Sequence, residues 1–574
     1  MDKTEYRCLI ISDFNATPFA GYLSSDDDFP RVSTTVAPFG QVVQVLMENN
    51  TDYWEQARDF AVIWTQPESV IQSFKRILNY EGVPLDDVLS EVREYASLIL
   101  GIQDRVKCAF VPTWVHPSYH RGFGMLDMKN GVGIANTLMR MNLTLCDCLD
   151  KSSNIYVLNT QNWIEHDSKY AFNPKSWYMG KLAFGNNVFK EGVRNIKSAL
   201  RGTAGSAKKL VIVDLDDTLW GGIIGDIGWQ AIRLGGHDHI GEAFADFQRG
   251  LKALTNRGLL LAIVSKNEEA TALEAFTKHP EMALTIEDFA GWRINWKDKA
   301  ENIIDLVSEL NLGIDSVVFI DDNPFERQRV RDALPEVFVP EWPENRMLYK
   351  KTLVSLWCFD NPSISKEDIH RTKLYAAERQ RSQLRKRIGS LEEWLGNLET
   401  KVRVEALNER NIQRATQLLN KTNQMNLSTR RMTEREFVDW VEPENRILWT
   451  FHVTDKFGDS GLTGIISLEA NNKMGTIIDF ILSCRVMGRK VEESILYTVV
   501  NYAQAISLDD IYAKYIPTPK NKPCLEFLKK SGFTHSEADN TFHWKVSTDY
   551  PLSPVIQIEG DVVDKRLRVK EMAG

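Results

Sequence analysis

Residues 211–222 read VIVDLDDTLWGG. An apolar run of the kind that forms a buried strand ends at Asp214, and Asp216, Asp217 and Thr218 follow at once. A strand that delivers acidic side chains at its C-terminal end marks a ligand site in an α/β sheet. Carboxylates this close repel one another, and a set that side chains cannot neutralise calls for a divalent cation. FIDDNPFE, residues 319–326, repeats the pattern, so Asp321 and Asp322 are candidates to complete an oxygen cage for Mg²⁺. Between the two acidic stretches, IVSKN places Ser265 at the end of a third apolar run, with Asn267 beside it. NWKDKAEN then places Lys299 at a helix start, with Lys297 as its rival. A hydroxyl, an ammonium and a metal converging on one point suit a phosphoryl oxygen.

The rest of the chain sets the frame. Its 574 residues exceed one core, and about three or four domains are expected at ~100–200 residues each. Apolar content of 43% and charged content of 26% are those of an ordinary globular chain. A net charge of −9 argues against nucleic acid as a partner. No apolar run approaches the ~18 residues of a membrane span, and MDKTEYRCLIISDF is broken too early for a secretory signal. Seven scattered cysteines fit reduced thiols in the cytoplasm; Cys146 and Cys148 lie close but have no second pair at zinc spacing.

Segment by segment, an α/β multidomain chain is expected. Residues 1–200 carry the strand-like runs RCLIISD, FAVIWTQ, KCAFVPTW and NIYVLNT and the helix-like DDVLSEVREYASLIL, and SALRGTAGSAKK reads as a linker. Residues 205–370 hold KLVIVDL, LLLAIVSK, SVVFIDD and VFVP as candidate strands, and KAENIIDLVSELNL as a helix. The charged stretch 365–388 reads as a bridging helix. Residues 385–550 form an α+β unit with helices at NIQRATQLLNKT and VEESILYTVVNYAQAI and strands at GIISLEA and TIIDFILS; residues 551–574 read as a tail.

The order DxDxT, Ser, Lys, DD resembles the haloacid dehalogenase superfamily. That resemblance implies Asp214 as nucleophile forming an aspartyl-phosphate and Asp216 as general acid/base. Thr218, Ser265 and Asn267 would hold the phosphoryl group and Lys299 neutralise it. Mg²⁺ would sit among Asp214, Asp216, Asp321 and Asp322, while Asp217 caps the turn. Trp220, Gly221 and Gly222 shape the same turn. The gap from Thr218 to Ser265, with LKALTNRGL as a core helix, leaves no room for a cap domain. An open site suits a tethered or macromolecular substrate.

DLDDTLWGGIIGDIG, INWKDKAENI, FIDDNPFERQRVRDALPEV, NQMNLSTRR and SCRVMGRKVEE together resemble FkbH-like proteins. The resemblance implies a Mg²⁺-dependent phosphatase and glyceryl transferase. It would process 1,3-bisphosphoglycerate and load the glyceryl unit as a thioester on an acyl carrier protein in a polyketide-type pathway. An acyl phosphate is already activated, and the chain has no GxxxxGK[ST] loop for ATP. The third unit resembles a GNAT acyltransferase, whose RxxGxG/A turn cradles a pyrophosphate at a helix N-terminus. Arg485 and Gly488 match that turn, and Lys490 replaces its last Gly or Ala. A pantetheine arm on a carrier makes a weaker demand on such a loop. Cys484, next to Arg485 and a helix start, is a candidate to carry the acyl group, with Glu492 and His452 as candidate bases. The first unit resembles an SGNH-hydrolase fold, with Ser12 where a nucleophile would stand and Asn136 as a candidate Asn block. His166 and Asp167 stand in the wrong order for its closing pair, so a degenerate docking domain is expected. Two rival readings keep the architecture: transfer of another small acyl group to a polysaccharide or lipid, and a non-catalytic scaffold that docks carrier proteins.

Overall fold

The computed structural model describes residues 5–48, 54, 58–364, 381, 384–385 and 388–560. The chain forms two compact units, Met1–Arg201 and Gly202–Gly574. Most of the stretch 365–388, expected as a charged bridging helix, lies outside the described residues.

The first unit holds a five-stranded parallel sheet of β1 (Tyr6–Ser12), β2 (Val32–Val36), β3 (Arg58–Trp64), β4 (Val106–Pro112) and β5 (Ile155–Leu158), in the order β2-β1-β3-β4-β5. Alternate residues of β1 enter two cores, Leu9 and Ile11 on one face and Cys8 and Ile10 on the other. That is the signature of a sheet covered on both sides. Helices α1 (Leu85–Leu100) and α2 (Ile134–Leu149) cover one face. VSTTV at β2 is too polar to read as a buried strand, and only its pairing with β1 reveals it.

The second unit contains two sheets. The first, in the order β8-β7-β6-β9, joins β6 (Leu210–Val213), β7 (Leu260–Ser265), β8 (Phe289–Ile294) and β9 (Val317–Ile320), all parallel. Val211 and Val213 enter one core and Leu210 and Ile212 the other. Helix α3 (His239–Thr255), capped by the Asp238 carboxylate, packs Phe244, Phe247 and Leu251 onto the first face. Helix α4 (Lys299–Glu309), capped by Asp298, packs Ile303 and Leu306 onto the second. The fourth strand is Phe289–Ile294 and not VFVP, which makes a single bridge between Phe338 and Val318. FAGWRI carries a Gly and an Arg, so its apolar pattern is weak. No cap domain is inserted between Thr218 and Ser265, where the main element is α3.

The second sheet is mixed: β10 (Thr400–Ala406), β11 (Met425–Asn426), β12 (Arg446–Asp455), β13 (Gly458–Asn471), β14 (Met474–Leu482), β15 (Asp510–Lys514), β16 (Thr534–Ser536), β17 (Thr541–Lys545) and β18 (Ile556–Glu559). Its path runs β16-β17-β15-β14-β13-β12-β10-β18, and β11 pairs with β14. Helix α5 (Val491–Ala505) follows β14 and buries Ile495, Leu496, Val499 and Val500 in the sheet's core. Strands β14 and β15 pair only from Met474 to Ile477; beyond that, Met425 and Asn426 pair with Leu482 and Ile481. The stretch expected as a tail contributes β18, which pairs in parallel with β10. The architecture is the α/β multidomain one, with an α+β domain at its end. Among the described residues no helix is long and apolar enough to cross a membrane. None of the seven cysteines forms a disulfide.

Candidate active site

Three adjacent strands, β7, β6 and β9, end at Ser265, Val213 and Ile320. The residues just beyond each end therefore converge on one edge of the sheet. The Asp214 N–H donates to the Ile320 carbonyl at 3.0 Å, which extends the pairing one residue and sets Asp214 beside Asp321. One carboxylate oxygen each from Asp214, Asp321 and Asp322 lies within 4.8 Å of the others. Lys299, the first residue of α4 and 4% exposed, enters this group. Its Nζ donates to Asp321 at 2.6 Å and lies 3.1 Å from Asp214. Lys297 precedes the Asp298 cap and is exposed, so Lys299 is the lysine that enters the site. Thr218 is buried; its hydroxyl lies 3.3 Å from an Asp322 oxygen and accepts the Asp322 N–H at 3.1 Å.

The electrostatics follow from burial. Asp321 is 0% exposed; burial and the Asp214 charge push its carboxyl up to about 7, against the opposing pull of Lys299. Burial, Asp214 and Asp217 push Asp322 up to about 6. Burial alone would lower the Lys299 pKa, but Asp214 and Asp321 outweigh it and hold the ammonium charged. Three carboxylates thus face one ammonium. The donors are all hard oxygens and the imbalance is two charges, so the group fits a divalent cation of the Mg²⁺ type.

Asp216 departs from the expected metal set. Its carboxylate stands outside the Asp214–Asp321–Asp322 group, because its oxygens are otherwise engaged. Trp220 Nε1 donates to Oδ1 at 2.9 Å and the Ile224 N–H at 3.1 Å, while Asn267 Nδ2 donates to Oδ2 at 2.9 Å. Asn267 also donates to the Ser265 hydroxyl at 3.3 Å, linking both to Asp216. Burial raises the Asp216 pKa against these three donors. A fixed carboxyl with a raised pKa is suited to proton transfer. Asp217, at a left-handed φ of 52°, accepts the Gly222 N–H at 3.3 Å and so closes the turn as expected. Trp220, read from sequence as a turn-shaping residue, is buried and clamps Asp216. Arg327 was not expected: its guanidinium donates to the Asp321 and Asp322 carbonyls at 2.8 and 2.7 Å, fixing the acidic turn. Its place in the first helical turn after FIDDN was the available signal.

Exposed apolar side chains stand in the segments that follow these strands. Trp296, 72% exposed, follows β8, and Phe325, 82% exposed, follows β9. Ile223 follows β6, and Met347 adjoins Arg346, whose guanidinium lies 3.8 Å from Asp217.

A second group of candidates gathers on the turn between β14 and α5. Cys484 opens a short 3-10 turn, Cys484–Val486, and its carbonyl accepts from Asn311 Nδ2 at 3.3 Å. Arg485 Nε lies 3.4 Å from the Ser483 hydroxyl. Gly488, at φ +72°, is exposed, and its N–H donates to Glu492 at 2.6 Å. His452 is paired with Asp459 at 2.7 Å on the β12–β13 hairpin. In the first unit Ser12 is buried and its hydroxyl accepts the Phe14 N–H at 3.2 Å. Asn136 engages the Met128 carbonyl and Arg140, and Asp167 engages Asn187.

No protein-family model and no curated protein matches the chain. Among solved structures, the chain is similar to the N-terminal part of the protein BF1531 from Bacteroides fragilis, which contains a phosphatase domain complexed with Mg. The match has 26% identity and a TM-score of 0.57, and covers 63% of this chain and 95% of that one. The ribosomal-protein-S18-alanine N-acetyltransferase of Escherichia coli matches at 8% identity and a TM-score of 0.20, over 26% of this chain and 95% of that one. A GNAT-family acetyltransferase of Staphylococcus aureus Mu50 matches at 13% and 0.21, over 25% and 99%.

Proposed function

We propose that this protein is a cytoplasmic, Mg²⁺-dependent phosphatase and glyceryl transferase. It would take 1,3-bisphosphoglycerate, remove the ester phosphate, and load the glyceryl unit as a thioester on an acyl carrier protein. The observation that carries the reading is the Asp214–Asp321–Asp322–Lys299 group at the converging strand ends, buried except for the half-buried Asp322. The likeness to the Mg-complexed phosphatase domain of BF1531 supports it.

Asp214, Asp321 and Asp322 would hold Mg²⁺, which would supply charge neutralisation to the phosphoryl oxygens. Asp214 attacks phosphorus, and the departing ester oxygen takes the proton of Asp216, which Trp220 and Asn267 hold in place. Asp216 then takes a proton from water, whose oxygen attacks the aspartyl-phosphate and releases phosphate. Lys299 and Thr218 steady the charge throughout. The acyl phosphate that remains is attacked by a thiol at its carbonyl carbon, and phosphate leaves. Cys484 is the proposed first acceptor, and the carrier's pantetheine thiol the final one. The uncapped edge, with Trp296 and Phe325 exposed, leaves the centre open to an approaching carrier protein. Neither nucleic acid nor membrane enters this reading.

The test is to incubate the full chain with 1,3-bisphosphoglycerate, Mg²⁺ and a panel of pantetheinylated carrier proteins, and to record intact masses. A glyceryl adduct on a carrier, lost in Asp214→Asn and in Cys484→Ala, is expected. Phosphate release without any adduct would retain the phosphatase and remove the acyl transfer.

A further inference from the structure

The turn from Cys484 to Lys490 has the build of an anion site. Gly488 and Lys490 lie at left-handed φ values of +72° and +67°, and Lys490 opens the 15-residue helix α5. Left-handed residues in a turn make concavities of backbone N–H groups, and a helix N-terminus adds positive potential. Arg485 adds a cationic side chain, while Arg489 is drawn to Asp455 and Lys490 to Glu493.

The anion that this turn receives is the chain's own. Glu492, in the first turn of α5 and 4% exposed, accepts the Gly488 N–H at 2.6 Å through Oε1. Its Oε2 is buried with no hydrogen-bond partner among the described residues. Two other acids of this domain with buried side chains are matched by arginines: Asp455 by Arg381 and Arg489, and Asp479 by Arg430. Lys490 turns to Glu493 at 2.6 Å instead. Burial pushes the Glu492 carboxyl up to about 7. A helix cap has no need of a buried oxygen left without a donor. A carboxylate standing where a phosphate oxygen would bind accounts for both the contact and its cost.

We propose that Glu492 fills the anion position of the 484–490 turn, so that the domain rejects a phosphate there and grips its thiol ligand by the pantetheine arm alone. The choice of pantetheine rests on the reading above; the exclusion of phosphate rests on the turn. Free coenzyme A, with its diphosphate, then gains nothing over pantetheine, and the carrier-bound arm is not outcompeted by it.

Isothermal titration of the full chain at pH 8 in EDTA, with pantetheine, 4′-phosphopantetheine and coenzyme A as probes, tests this. Wild type is expected to bind the three within about twofold of one another, and Glu492→Gln to bind coenzyme A about tenfold more tightly than pantetheine, the scale of a desolvated charged contact. A wild type that prefers coenzyme A to pantetheine by about tenfold overturns the proposal. So does a folded Glu492→Gln with no gain from phosphate. Should that variant fail to fold, the wild-type series and Glu492→Ser decide the matter. A Glu492→Gln that gains coenzyme A while glyceryl transfer is absent would keep this proposal and remove the carrier reading.

Discussion

Replacing Asp321 with Asn should stabilise the metal-free protein while abolishing its response to Mg²⁺. Asp321 is fully buried, and its carboxyl rises from 3.8 to about 7 on folding through burial and the Asp214 charge. Across that window the folded state holds a proton that the unfolded chain has released. Stability therefore falls as pH rises from about 4 to 7 and is level above. Between pH 5 and 7 two pH units are crossed, worth about 2–3 kcal/mol. Asparagine resembles the protonated acid and carries no such loss. Urea unfolding in EDTA at pH 5, 6, 7 and 8 should show wild type losing about 2–3 kcal/mol relative to Asp321→Asn, most of it before pH 7. Millimolar Mg²⁺ should reverse the order, because binding to the folded state adds stability only where the three carboxylates are intact. Parallel pH profiles for the two proteins, or a wild type more stable than the variant at pH 8 in EDTA, would refute the charge imbalance on which the cation site is argued.

Three further outcomes follow from the same geometry. The Mg²⁺ concentration for half-maximal phosphate release should fall as pH rises from 5 to 8, since the cation needs Asp321 and Asp322 ionised and their carboxyls are pushed up to about 7 and 6. Trp220→Phe keeps the ring in its buried site and removes one hydrogen bond to Asp216; it should cost about 1 kcal/mol of stability and lower kcat at least about tenfold, read by phosphate release with unfolding as control. Asp455→Asn leaves Arg381 and Arg489 buried without their carboxylate and should destabilise the protein by about 3–5 kcal/mol, measured by urea unfolding.

The pieces of the phosphatase-like centre were legible because they are local. VIVDLDDT and VVFIDD announce buried strands that end in acids, and no tertiary knowledge is needed to see that such acids share a sheet edge. The choice of Lys299 over Lys297 was within reach too, since Asp298 is the cap and the residue after it begins the helix facing inward. What the order of residues could not show is which oxygen meets which donor. Asp214 and Asp216 look equivalent in the motif, yet only Asp214 joins Asp321 and Asp322, because Trp220, Ile224 and Asn267 occupy the oxygens of Asp216. Asn267 lies on another strand's loop, and a contact over that separation leaves no periodic trace. The same holds for the 484–490 turn: the glycine and the basic residues announce an anion site, while its filling by Glu492 depends on how the first turn of α5 folds back. Strand ends and helix starts obey short-range rules of hydrophobic period and capping, so the sequence alone sufficed for them. The engagement of each buried charge depends on packing partners brought together by the whole sheet, and only the tertiary structure decided it.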